Sequence, residues 1–230
     1  MADQLYLHEE IMLLALRDRE GTVASGIYCD YALGGAVLAE LLLQKRAVVD
    51  QEKKKKFLRL TDATPFGDPV VDECIQKVKS AKRRAQLQTW VSRFAGVKKL
   101  KHRVAEQLCR RGILRTDEDK VLLFFARKVY PEINPEPERN IMKRLNDAIF
   151  SDSEDVDPHT VVLLSLANSA NILKVNFDKK ELKARKKRIE QVAEGEMTGK
   201  ATKEAIEAMQ AAVLVAVIVP TIIASTTTRH

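Results

Sequence analysis

The stretch GVKKLKHRVAEQLCRRGIL, residues 96–114, sets seven basic or ionisable nitrogen groups against one carboxylate in nineteen residues. Cations at that density attract anions, and three surroundings fit: nucleic-acid phosphate, a lipid headgroup, or the counter-ions of a solvated helix face. At about 100° per residue Val97, Leu100, Val104 and Leu108 fall on one stripe. A helix over 97–111 is therefore expected, with Lys98 and Lys101 on one flank and Lys99, Arg103 and Arg110 on the other. Gly112 is its expected cap.

Other chemistry finds little to work with. Gly34 and Gly35 lie in an apolar run without the G-x-G-x-x-G spacing that cradles a dinucleotide, and there is no P-loop. His8, His102, His159 and His230 lack metal-ligand spacing, and Cys29, Cys74 and Cys109 form no C-x-x-C pair. The expectation is reduced thiols, an intracellular setting, no cofactor, and binding rather than catalysis. No secretory signal is expected, because Asp3, His8, Glu9 and Glu10 interrupt the first apolar segment. Lys plus Arg number 39 and Asp plus Glu 32, a net charge of +7 that favours anionic partners without naming one.

The elements that must position this basic stretch read as helices for the most part. Aliphatic residues dominate the apolar 45% of the chain, which suits helices better than sheets. Leu5, Ile11, Leu14 and Ala15 recur at helical spacing, and YALGGAVLAELLLQKR is apolar on most of its circumference and therefore central. AVVDQEKKKKFLRLTD reads as a small hairpin with residues 53–56 at its tip. Asp68 before Pro69 is an N-cap followed by an N1 proline. A short helix around Trp90 ends at Gly96, before the basic stretch.

A second hairpin is expected after Gly112, with strands 113–114 and 121–125 around a polar turn at 115–120. Its second strand is apolar on both faces, so the domain itself or a partner copy must cover it. Helices are expected over 138–150, 159–173, 179–194 and 200–223. The apolar run 211–224 falls short of the roughly twenty residues that span a bilayer, contains Pro220, and reads as a core helix. The whole is expected to be one mainly α globular domain over 1–230, with a protruding hairpin and a shorter second one. Nucleic-acid binding has the pI of 9.3 behind it but no stacking platform. Membrane-surface binding needs cations beside apolar side chains, and Lys98 and Lys101 around Leu100 supply them.

Several ordered stretches, LHEEIMLLALRDREG, YALGGAVLAELLLQKR, DATPFGDPVVDECI, TWVSRFAG, VAEQLCRRGILRTDEDKVLLF and TVVLLSLANSANIL, resemble the Golgi phosphoprotein 3 family. The resemblance covers nearly all of the chain. It implies a helical domain with a projecting hairpin used for self-association, and no catalytic activity. It also implies a peripheral membrane adaptor at the cytosolic face, holding phosphatidylinositol 4-phosphate in a basic pocket and retaining glycosyltransferases in the Golgi. Two pocket arginines of the family fall on Lys98 and Lys101, a third falls on Gly34, and the pocket tryptophan falls near Ser25 or Gly26, with Tyr28 as the nearest aromatic. The implied headgroup set is Lys98, Lys101, Arg103, Ser25 and Gly34; the implied oligomerisation set is Leu114, Val121, Leu123 and Phe125. The charged turn RTDEDK and the lack of a long polar leading segment resemble bacterial-type members, for which phosphatidylglycerol or cardiolipin is the alternative anion. The resemblance places a lipid phosphate ahead of nucleic acid and of an interaction module without an anion ligand.

Overall fold

The computed structural model describes residues 4–17, 19–121, 125–153, 155–194 and 207–208. Among these, ten helices stand with two separate two-stranded antiparallel sheets, a mainly α fold with short hairpins as the composition implies. Helix α1 (Leu7–Ala15) is buried along its whole length, His8, Glu9 and Glu10 included. A charge removed from water costs several kcal/mol unless partners replace the solvent. Each of these three residues finds its partner on a different element.

His8 Nε2 lies 3.0 Å from Asp68 Oδ2. Asp68 is the N-cap of α3 (Pro69–Lys79), where its other oxygen accepts the Val70 and Val71 N–H groups at 2.8 and 2.9 Å. Glu9 accepts the Tyr6 N–H at 3.0 Å and pairs with Arg111, which ends α5 (Leu100–Arg110). Glu10 pairs with Arg144 of α6 (Glu136–Phe150) and stands 2.8 Å from His159 Nε2 of α7 (Pro158–Ser169). From α2 (Cys29–Leu43), Glu40 accepts the Leu7 N–H at 2.9 Å.

These partners set the titration of the group. Burial pushes the Asp68 carboxyl up, but the His8 hydrogen bond and charge, with the Val71 N–H and the Gln107 amide, outweigh it and hold the carboxyl down at about 2. Burial pushes His159 down, and the hydrogen bond and charge of Glu10 overcome it, leaving the imidazole above its ordinary value.

Helix α2 crosses α4 (Leu87–Ala95) at Gly34. A Cβ on Gly34 would stand 2.6 Å from the Val91 carbonyl oxygen and 2.7 Å from the Ala95 nitrogen, so the two backbones meet at this glycine. Trp90, Phe94 and Leu38 are fully buried near that crossing, in a core cluster that takes side chains from α1 to α10 and reaches Ala208.

Five expectations are corrected. The basic helix begins at Leu100 and not at 97, because Lys99 takes a left-handed backbone at φ 56 and a turn carries Lys98. Gly112, at φ 70, ends it as expected. In the first hairpin, β1 (Ala47–Glu52) and β2 (Lys55–Leu60) pair from Ala47↔Leu60 to Glu52↔Lys55, so its tip is Lys53 and Lys54, while Lys55 and Lys56 are in the strand.

In the second hairpin the strands are β3 (Asp117–Val121) and β4 (Phe125–Val129), so most of the expected polar turn is itself strand. The register sets Glu118 across from Lys128, opposite charges on facing strands. Leu114 lies below the ladder, bridged to Glu132 and only 2% exposed. Finally, Asn171 at φ 63 separates α7 from α8 (Leu173–Asn176). Arg185 divides the last basic helix into α9 (Lys179–Ala184) and α10 (Lys186–Ala193). Leu123, the expected helix over 200–223 except for 207–208, and the apolar run 211–224 lie outside the described residues.

Two outcomes follow from these contacts. Gly34→Ala forces α2 and α4 apart and is expected to cost about 1–3 kcal/mol, the usual penalty of overpacking, read from the thermal unfolding midpoint. Asp68 has a folded value below its ordinary 3.8, so its contribution is full above about pH 4 and is lost as pH falls towards 2. Asp68→Asn keeps the cap and removes the charge; urea unfolding of this variant is expected to lack the loss of stability that the parent shows between those two pH values.

Candidate anion-binding face

The turn that delivers α5 carries Lys98 and Lys99, both exposed, and Lys101 sits in the first turn of the helix. Neither of the first two has a carboxylate partner among the described residues. Lys101 does: its Nζ is 3.0 Å from Asp30 Oδ2, in the first turn of α2. That ion pair draws the start of α5 to the start of α2, and the loop entering α2 contains Ser25 and Gly26, both exposed, and half-buried Tyr28.

The backbone adds to the charge. Neither Tyr28, the N-cap of α2, nor Lys99, the N-cap of α5, offers a side-chain acceptor to the first-turn N–H groups. Helix starts carry a partial positive charge and unsatisfied donors, which suits a phosphate. Three lysines and two helix starts against one carboxylate form a net cationic corner.

The expected headgroup residues are thus only partly brought together. Lys98, Lys101 and the Ser25 loop converge on the α2 and α5 starts. Gly34 does not: it is buried against α4, and no side chain at that position reaches solvent without separating the two helices. Arg103 is turned the other way, paired with Glu73 and donating to the Pro69 carbonyl at 3.0 Å, so it ties α5 to α3. That pairing holds the Glu73 carboxyl below its ordinary range.

Asp30 was missed in the sequence. A carboxylate in the first turn of a helix reads as dipole compensation, and only the tertiary approach of Lys101 gives it a second role. Burial pushes the Cys29 and Cys74 thiols up to about 12. Among the described residues no group of three His, Cys, Asp or Glu side chains has metal-holding geometry, and no helix is long and apolar enough to cross a membrane.

Comparison with known proteins agrees with this architecture. The family model for Golgi phosphoprotein 3 (GPP34) matches residues 7–209. Vacuolar protein sorting-associated protein 74 of Eremothecium gossypii is 25% identical, in an alignment covering 74% of this chain and 60% of that protein. The chain thus spans about three fifths of the length of that curated relative. With the family model running from the buried start of α1 to the buried Ala208, the chain belongs to the Golgi phosphoprotein 3 family.

Proposed function

We propose that this chain acts as one domain, a non-catalytic peripheral membrane protein that holds an anionic phospholipid headgroup at the corner built from Lys98, Lys101 and the Ser25 loop. Phosphatidylinositol 4-phosphate is the headgroup that the family resemblance implies. The observation that carries the reading is the cationic turn at the joined starts of α5 and α2, in a chain whose family is that of Golgi phosphoprotein 3. The sorting named in the curated relative supports an adaptor role, with membrane proteins as clients and the cytosolic face of a membrane, the Golgi in a eukaryote, as its place.

Nucleic acid is the weaker partner. The second basic segment needed for tracking phosphates has turned its arginines inwards: Arg185 donates to the Phe150 carbonyl at 2.9 Å and Arg188 to the Ala148 carbonyl at 3.1 Å. The exposed cations of α9 and α10 are lysines, interspersed with exposed Glu181 and Glu190.

Self-association is assigned to the β3–β4 hairpin, at the Val121 and Phe125 end of the ladder. Leu114 has no part in it, being buried in the core.

Flotation on vesicles tests the lipid site. The parent chain is expected to float with vesicles containing phosphatidylinositol 4-phosphate and to stay down with neutral ones. Lys98→Ala with Lys101→Ala is expected to weaken this about twenty- to thirtyfold, since each lysine at an anionic surface contributes about 1 kcal/mol. Undiminished flotation of a folded double variant removes the site. For the hairpin, Phe125→Asp is expected to halve or quarter the mass measured by light scattering after gel filtration, and an unchanged mass ends that assignment.

A further inference from the structure

A cavity lies among α7, α8, α9 and α10, away from every residue assigned above. Its volume is about 550 Å³, within the range that accommodates a small-molecule ligand. The walls change character with depth. Leu173 and Ile189 are buried and Leu182 is half-buried, so the interior is apolar. The mouth is edged by exposed lysines at positions 174, 179, 183 and 186.

Two of those lysines are accounted for. Lys174 Nζ donates to Asn171 Oδ1 at 2.7 Å, and Lys186 approaches Glu190 at 3.6 Å. Lys179 and Lys183 have no such partner among the described residues, although they stand one helical turn apart on α9 and both line the cavity. Like charges at that spacing repel and weaken a helix. An anion between them removes the repulsion, and the apolar interior below asks for something other than water.

One chemistry satisfies both halves: an alkyl chain that ends in a negative group. A bare phosphate uses only the rim, and a neutral chain uses only the interior. We infer that this cavity receives an acyl chain of an anionic membrane lipid, whose charged end is held by Lys179 and Lys183 while the chain packs on Leu173, Leu182 and Ile189. Such a contact draws a lipid tail partly out of the bilayer plane. It is independent of the corner at Lys98 and Lys101, so failure of either site leaves the other standing.

Isothermal titration with dodecyl phosphate below its micellar concentration tests the cavity, set beside inorganic phosphate and dodecyl maltoside. Dodecyl phosphate is expected to saturate one site and to bind at least about tenfold more tightly than either control, because several methylenes leave water. Lys179→Ala with Lys183→Ala, a change confined to the surface, is expected to weaken it about twenty- to thirtyfold. Leu182→Glu is expected to abolish it, and Lys98→Ala with Lys101→Ala to leave it unchanged. Absence of binding overturns the inference, as does inorganic phosphate binding as tightly, or full-strength binding by the Lys179 and Lys183 variant. On phosphatidylglycerol vesicles the same lysine pair is expected to lower flotation; binding of the soluble amphiphile with flotation unaltered overturns the membrane source.

Discussion

A carboxylate taken out of water must be given donors, and α1 takes two out in succession, with a histidine before them. The sequence His8-Glu9-Glu10 inside a fully buried helix is stable only if cations and N–H groups arrive from elsewhere in the chain. Donors come from Arg111 at the end of α5, Arg144 on α6 and His159 on α7; acceptors come from Asp68 before α3, for His8, and from Glu40 of α2, for the Leu7 N–H. The side chain of Asn176, at the end of α8, closes the other end by donating to the Leu14 carbonyl at 2.8 Å. Consecutive residues on a helix point about 100° apart, so three consecutive polar groups address three directions. That is why one short helix fixes the azimuth of all its neighbours, whereas an all-leucine helix leaves their rotation free.

The same economy separates the two kinds of cation. Arginine's planar fork spans a carboxylate and a carbonyl at once, and its weaker hydration makes partial burial cheaper. Arg103 holds Glu73 and the Pro69 carbonyl, Arg111 holds Glu9, Arg144 holds Glu10, and Arg185 and Arg188 hold backbone carbonyls at the end of α6. Lysines 98, 99, 179 and 183 stay outside with hydrated ammonium groups. With exposed arginines such as Arg83, Arg84 and Arg110 beside these lysines, the surplus of +7 is displayed at the surface. A compact cation on a long stem senses the sign of a surface more than the shape of a headgroup, and salt screens it over about 8 Å.

Much of this fold was legible because local signals agreed with the tertiary demand. Asp68-Pro69 starts α3, Gly112 ends α5, and the apolar circumference of 31–46 marks α2 as central. The failures have separate physical origins. Strand β3 looked like a turn because DEDK is charged and has no apolar alternation, yet it pairs in a ladder with β4, Glu118 across from Lys128. Lys99 carries no glycine-like mark of a left-handed backbone, so the helix start was placed too early. The acidic pair of α1 registered only as an interruption of an apolar segment, since its partners lie 102 and 134 residues away. At the candidate corner, Lys98 and Lys101 were visible and their neighbour Asp30 was not.

Gly34 gives the site its character. The α2–α4 crossing needs the absence of a side chain there, because the Val91 carbonyl and the Ala95 amide occupy the space. An arginine at this position is thus incompatible with this packing, and under the proposed reading a headgroup contact there would come from other donors. Those at hand are N–H groups at the helix starts, which are fixed in direction, and lysines, which are not. Asp30 further restrains Lys101 and offsets one of the positive charges. Under the proposed reading, such a corner would recognise a phosphate by charge and fixed N–H donors rather than by the alcohol that carries it. Under the same reading, selectivity would rest on the number of contacts made together, at the corner, the hairpin and the proposed cavity, more than on the stereochemistry of any one pocket.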